Sequence, residues 1–121
     1  MTRATKHVLI IRVAGTDELC VILGATAVAF GRSHVYADVP LRDPVITKRH
    51  FDIDWNAREM CHEVIDYGRY SLKLNGQFLA GTWDRVPLQH PRSWKGDRRL
   101  LSPGDVLAIG RYELEYVALR G

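Results

Sequence analysis

About ten short runs of β-branched and aromatic residues, each closed by a turn signal, leave this chain little room for anything but an all-β fold. The runs are Lys6–Val13, Glu18–Leu23, Thr26–Phe30, Asp38–Leu41, His50–Asn56, Cys61–Asp66, Ser71–Leu74, Gln77–Ala80, Val106–Ile109 and Tyr112–Leu119. His50–Asn56 alternates most cleanly. Side chains on a strand point to opposite faces in turn, so Phe51, Ile53 and Trp55 go one way and Asp52, Asp54 and Asn56 the other. Tyr112, Leu114 and Tyr116 likewise oppose Glu113 and Glu115. Asn75-Gly76 is a two-residue hairpin signal, because both residues tolerate the positive φ that such a turn requires. Pro40 cannot donate to a ladder, so its run belongs at a sheet edge or strand end. Many short strands at close spacing, with no helical period, predict an antiparallel sandwich or barrel.

Length bounds the organisation. A chain of 121 residues holds one domain with a real core. The strand pattern stops after Gly81, and residues 81–99 read as a long basic loop insertion: Arg85, Arg92, Lys95, Arg98 and Arg99 stand against Asp84 and Asp97, with Trp83 and Trp94 between them. A net charge of +3 favours anionic partners but falls short of a dedicated nucleic-acid binder.

Cys20 and Cys61 form no metal-ligand spacing and sit in apolar runs, so they are expected as buried thiols. No metal, cofactor or catalytic nucleophile is indicated, and His7, His34, His62 and His90 are assigned surface or packing roles. No run is long enough to span a membrane, and the N-terminal residues lack a signal-peptide pattern. An intracellular location, cytoplasmic or nuclear, is expected.

Two loops carry the chemistry. Gly31-Arg32 follows a strand, and Asp43-Pro44-Val45-Ile46-Thr47-Lys48-Arg49-His50 precedes the next clear one. An arginine fork matches the spacing of phosphate oxygens, a hydroxyl adds a donor of adjustable direction, and lysine adds charge. Arg49 is as well suited to pairing with an acidic strand neighbour, and Ser33 either adds a phosphate contact or is an ordinary loop serine.

The order Gly31-Arg32, Asp38-Val39, Asp43 to His50, Asp66-Tyr67-Gly68, Asn75-Gly76 and Leu101 to Gly110 resembles the forkhead-associated (FHA) domain over nearly the whole chain. That resemblance implies an eleven-stranded antiparallel β-sandwich of the FHA/SMAD type whose loops bind phosphothreonine in a partner peptide. It implies that Arg32 contacts the phosphate, that Thr47 replaces the usual serine donor, and that Lys48 adds a basic contact. Gly31 and His50 would brace the loops, and Asn75 and Gly76 would form the hairpin after the binding loop. Ser71 stands where the family has a peptide-clamping asparagine, and the glycine that follows is missing. Arg69 and Tyr70 would face the peptide beyond its phosphothreonine.

The leading expectation is therefore a non-enzymatic phosphothreonine-peptide module for protein–protein interaction in signalling or regulation. Two alternatives stand beside it. One is a phosphate-independent interaction or self-association domain with a degenerate clamp. The other is nucleic-acid contact through the basic 81–99 loop, where cations and aromatics suit phosphates and bases.

Overall fold

The computed structural model describes residues 5–14, 19–67, 72–79 and 97–120. Eleven strands lie among them: β1 (Thr5–Val13), β2 (Leu19–Leu23), β3 (Val28–Gly31), β4 (Val39–Pro40), β5 (Phe51–Asn56), β6 (Cys61–Asp66), β7 (Lys73–Leu74), β8 (Gln77–Phe78), β9 (Asp97–Leu100), β10 (Val106–Ile109) and β11 (Tyr112–Arg120). They form a six-stranded sheet in the order β2-β1-β11-β10-β7-β8 and a five-stranded sheet in the order β4-β3-β5-β6-β9. The ladders are antiparallel except β3–β4, where Phe30 pairs with Val39 and Gly31 with Pro40 in parallel. No helix among the described residues is long and apolar enough to cross a membrane.

Alternation builds the core. Leu9 and Ile11 of β1 lie across from Tyr116 and Leu114 of β11, and all four are buried. From the facing sheet come Phe30, Phe51, Ile53 and Val64, with the Phe30 and Phe51 rings stacked 4.8 Å apart. Each such side chain contributes about 1.5–3 kcal/mol on burial, so the inner faces fix the register.

The polar face of β5 departs from expectation at Asp52. It is buried rather than solvated, because Arg49 and Tyr67 lie over its carboxylate. Strand β9 falls at the end of the stretch expected to lack pattern. Its sequence, DRRL, has no apolar alternation; ladder bonds to β6 hold it, and Arg98 pairs with Glu63 at 2.7 Å.

The thiols are a correction. Cys20 is exposed and Cys61 half-buried, since Cys20 alternates with the inward Val21 and so faces out from edge strand β2. His62 packs as expected. Its Nε2 donates to the Gly24 carbonyl at 2.9 Å, and the Tyr116 hydroxyl lies 2.8 Å from its Nδ1, with His7 stacked on the Tyr116 ring.

Pairing of Phe30 with Phe51, and of Phe51 with Asp66, brings the end of β3, the start of β5 and the end of β6 to one rim. The turn between β10 and β11 reaches the same rim from the other sheet, through contacts of Arg111 with Asp43.

Candidate functional site

Where β3 ends, its ladder does not stop; it passes to the loop that precedes β5. His50 N–H donates to Phe30 O at 2.8 Å, Arg32 N–H to Thr47 O at 2.9 Å and Ser33 N–H to Lys48 O at 3.2 Å. The two sequence-predicted loops are therefore laced together by main chain. Gly31 makes this possible. A β-carbon there would sit 2.7 Å from the carbonyl carbon of Lys48 and 2.8 Å from the Arg49 Cα, closer than backbone atoms allow. On its other side Gly31 O accepts Leu41 N–H at 2.7 Å, which ties in the chain after β4.

His50 is wholly buried beneath Thr47. Thr47 N–H donates to His50 Nδ1 at 3.0 Å, so Nδ1 is the bare nitrogen and the ring proton sits on Nε2, 3.7 Å from an Asp66 oxygen. Burial pushes the imidazole down to about 4, which keeps it neutral near pH 7 and keeps that acceptor available. The His50 main chain is pinned as well, its carbonyl accepting Tyr67 N–H at 2.8 Å. Thr47 is exposed, and its hydroxyl donates to Arg49 O at 3.2 Å. Rotation about one torsion exchanges that partner for an incoming oxygen.

Two carboxylates buttress the loop. Asp43 accepts Val45 N–H at 3.1 Å through one oxygen, and Arg111 N–H at 3.0 Å and Arg111 Nε at 3.3 Å through the other. The Val45 amide, followed by Arg111, holds this carboxyl below its usual range. Gly110, at φ 56°, leaves the space in which the Asp43 carboxyl lies. Asp52 takes the Arg49 guanidinium through both of its oxygens and also accepts the Tyr67 hydroxyl at 3.2 Å. Arg49 thus belongs to the support of the rim, as its position beside an acidic strand residue suggested. Asp43, Gly110 and Arg111 were not singled out as site residues. Asp43 and Arg111 stand 68 residues apart in sequence, and nothing local links them.

Charge on the rim is divided. Arg49 and Arg111 are engaged with carboxylates, whereas the exposed Arg32 guanidinium and Lys48 ammonium have no carboxylate partner among the described residues. Beside them is the Thr47 hydroxyl. Two uncompensated cations and a hydroxyl donor on interlocked main chain suit a multiply charged oxyanion. Ser33 uses its hydroxyl oxygen to accept Val35 N–H at 3.1 Å, closing its own loop.

The structure brings Gly31, Arg32, Thr47, Lys48 and His50 together. Asn75 and Gly76 form the expected hairpin turn, with φ of 50° and 87°, but away from this rim. Asn75 bonds Asp105 at 3.0 Å and Val106 N–H at 2.9 Å, beyond the end of β10 remote from Arg111. Arg69, Tyr70 and Ser71 lie outside the described residues, as do Arg85, Arg92 and Lys95 of the basic loop.

The FHA domain family profile matches residues 28–110, from β3 to the β10–β11 turn. No curated protein matches the chain. Among solved structures it is similar to the FHA domain of CT664 from Chlamydia trachomatis (16% identity, TM-score 0.70, covering 93% of this chain and 96% of that one). It is similar also to Slr1951 from Synechocystis (20% identity, TM-score 0.67, 98% and 100%). A third is the MEK1 FHA domain in complex with a HOP1 phosphothreonine peptide (17% identity, TM-score 0.61, 90% and 94%).

Proposed function

The chain belongs to the FHA domain family, and from that premise we propose that its rim binds phosphothreonine in an extended segment of a partner protein. Arg32, Thr47 and Lys48 meet the phosphate. A phosphoryl group carries about −1.5 to −2 charges at neutral pH and three acceptor oxygens. Arg32 supplies paired donors, Thr47 Oγ1 a third, and Lys48 mobile charge.

The observation that carries this reading is the pair of main-chain bonds from Arg32 to Thr47 and from Ser33 to Lys48. They fix the main chain that carries the three side chains before any ligand arrives, so that only side-chain ordering remains to oppose binding. The MEK1 domain's complex with a phosphothreonine peptide supports the ligand class. Selectivity for the phosphorylated form follows from unmet charge, because a peptide lacking phosphate leaves Arg32 and Lys48 facing it without acceptors. Arg69 and Tyr70 are assigned to the peptide beyond its phosphothreonine, and Ser71 to the peptide's main chain.

Titration of ¹⁵N-labelled protein with a degenerate phosphothreonine peptide pool tests this. The amides of Arg32, Ser33, Thr47 and Lys48 shift together, and the unphosphorylated pool leaves them in place. Equal shifts with both pools would refute phosphate dependence.

A further inference from the structure

The loop that carries Arg32 also grips Lys48 at two points. Its Ser33 N–H fixes the Lys48 carbonyl, and farther along its Tyr36 ring lies 5.9 Å from the Lys48 ammonium, within cation–π range. We infer that Tyr36 is a positioning residue of the phosphate site, holding the Lys48 ammonium toward the bound dianion.

The loop between β3 and β4 is stiff enough for this. Ser33 Oγ accepts Val35 N–H, Ser33 O accepts Ala37 N–H at 3.0 Å, and Ala37 is buried. Asp38 then closes onto β3 twice, its N–H donating to Ala29 O at 2.8 Å and its carboxylate accepting Ala29 N–H at 2.8 Å. Tyr36 stands between these anchors yet is 60% exposed, so core packing does not account for an aromatic residue there. Lys48 is the complementary case. Its main chain is immobilised against Gly31 and Ser33, while its side chain has four rotatable bonds and no carboxylate partner among the described residues. An aromatic face restrains such a cation without neutralising it. A carboxylate in the same place would compete with the phosphate.

This inference rests on the phosphothreonine reading, and the experiment separates the two. Affinity for a degenerate peptide pool fixed only at a central phosphothreonine is measured by fluorescence anisotropy for the wild-type chain, Tyr36→Ala, Tyr36→Phe, Lys48→Ala and the Tyr36→Ala/Lys48→Ala double variant. Tyr36→Ala weakens binding about 2- to 5-fold, the range of an exposed cation–π contact. Tyr36→Phe retains wild-type affinity, and Tyr36→Ala adds no loss in the Lys48→Ala background. In the free protein the Lys48 ε-methylene protons resonate upfield under the Tyr36 ring, and Tyr36→Ala abolishes that shift. Wild-type affinity in Tyr36→Ala, or an equal loss with and without Lys48, would overturn the inference and leave phosphate binding intact. Failure of the wild-type chain to bind any member of the pool would remove the phosphothreonine reading, and this inference with it.

Discussion

The Arg32 amide donates to the Thr47 carbonyl at 2.9 Å, joining residues fifteen positions apart in sequence as neighbours on one rim. Main chain, not side chain, sets their spacing. The site is in this sense a property of the sandwich, and substitutions that disturb the lacing act on binding without touching a ligand-facing group.

Gly31→Ala is the most direct disturbance. A methyl there overlaps the main chain of Lys48 and Arg49, so the loop moves or β3 does. Stability falls by about 1–3 kcal/mol, the usual cost of forced overpacking. Phosphopeptide affinity falls further than urea denaturation predicts from the loss of folded protein alone. Unchanged affinity in the folded variant would mean that the close approach does not shape the site.

His50 gives the fold a pH dependence of known sign. Its folded value of about 4 lies below the ordinary 6.5, so between those limits the unfolded chain binds more protons and stability declines as pH falls. The contribution is complete above pH 6.5 and gone below about 4. At about 1.4 kcal/mol per pH unit across that window, the loss is roughly 3 kcal/mol. Urea midpoints measured from pH 7 to 4 decline through this interval, and the His50 ring in the native protein titrates near 4 by NMR. A ring titrating at 6.5 would contradict the burial argument.

Asp43→Ala removes the carboxylate that ties the loop before β5 to the β10–β11 turn through Val45 and Arg111. The urea midpoint drops, and phosphopeptide affinity drops with it because Thr47 and Lys48 ride on the released loop. Asp43→Asn keeps one acceptor oxygen and falls between wild type and Asp43→Ala on both measures. Affinity unchanged in Asp43→Ala would show that Gly31 and His50 hold the loop by themselves.

Much of this was legible in the sequence wherever burial is periodic. Phe51 and Ile53 are fully buried as their alternation demanded, and Asn75-Gly76 turns the hairpin its φ tolerance allowed. Strand β9 escaped notice because Asp97, Arg98 and Arg99 pair by main chain on a sheet edge, with no apolar face to announce them. The convergence of Gly31, Arg32, Thr47, Lys48 and His50 on one rim was legible through their order along the chain. Asp43 was not, since the amide it accepts from Arg111 is 68 residues away and a buried carboxylate leaves no periodic trace. The burial of Asp52 was hidden for a related reason: alternation gives the direction of a side chain but not what Arg49 and Tyr67 lay over it.

Isothermal titration of a phosphothreonine peptide into the wild-type chain and Arg32→Ala tests the central claim most directly. The wild-type chain binds the phosphorylated form, and Arg32→Ala loses about 2–5 kcal/mol of binding free energy, the range for truncating one partner of a desolvated charge pair. Equal binding by both proteins, or wild-type binding that survives removal of the phosphate, would contradict it.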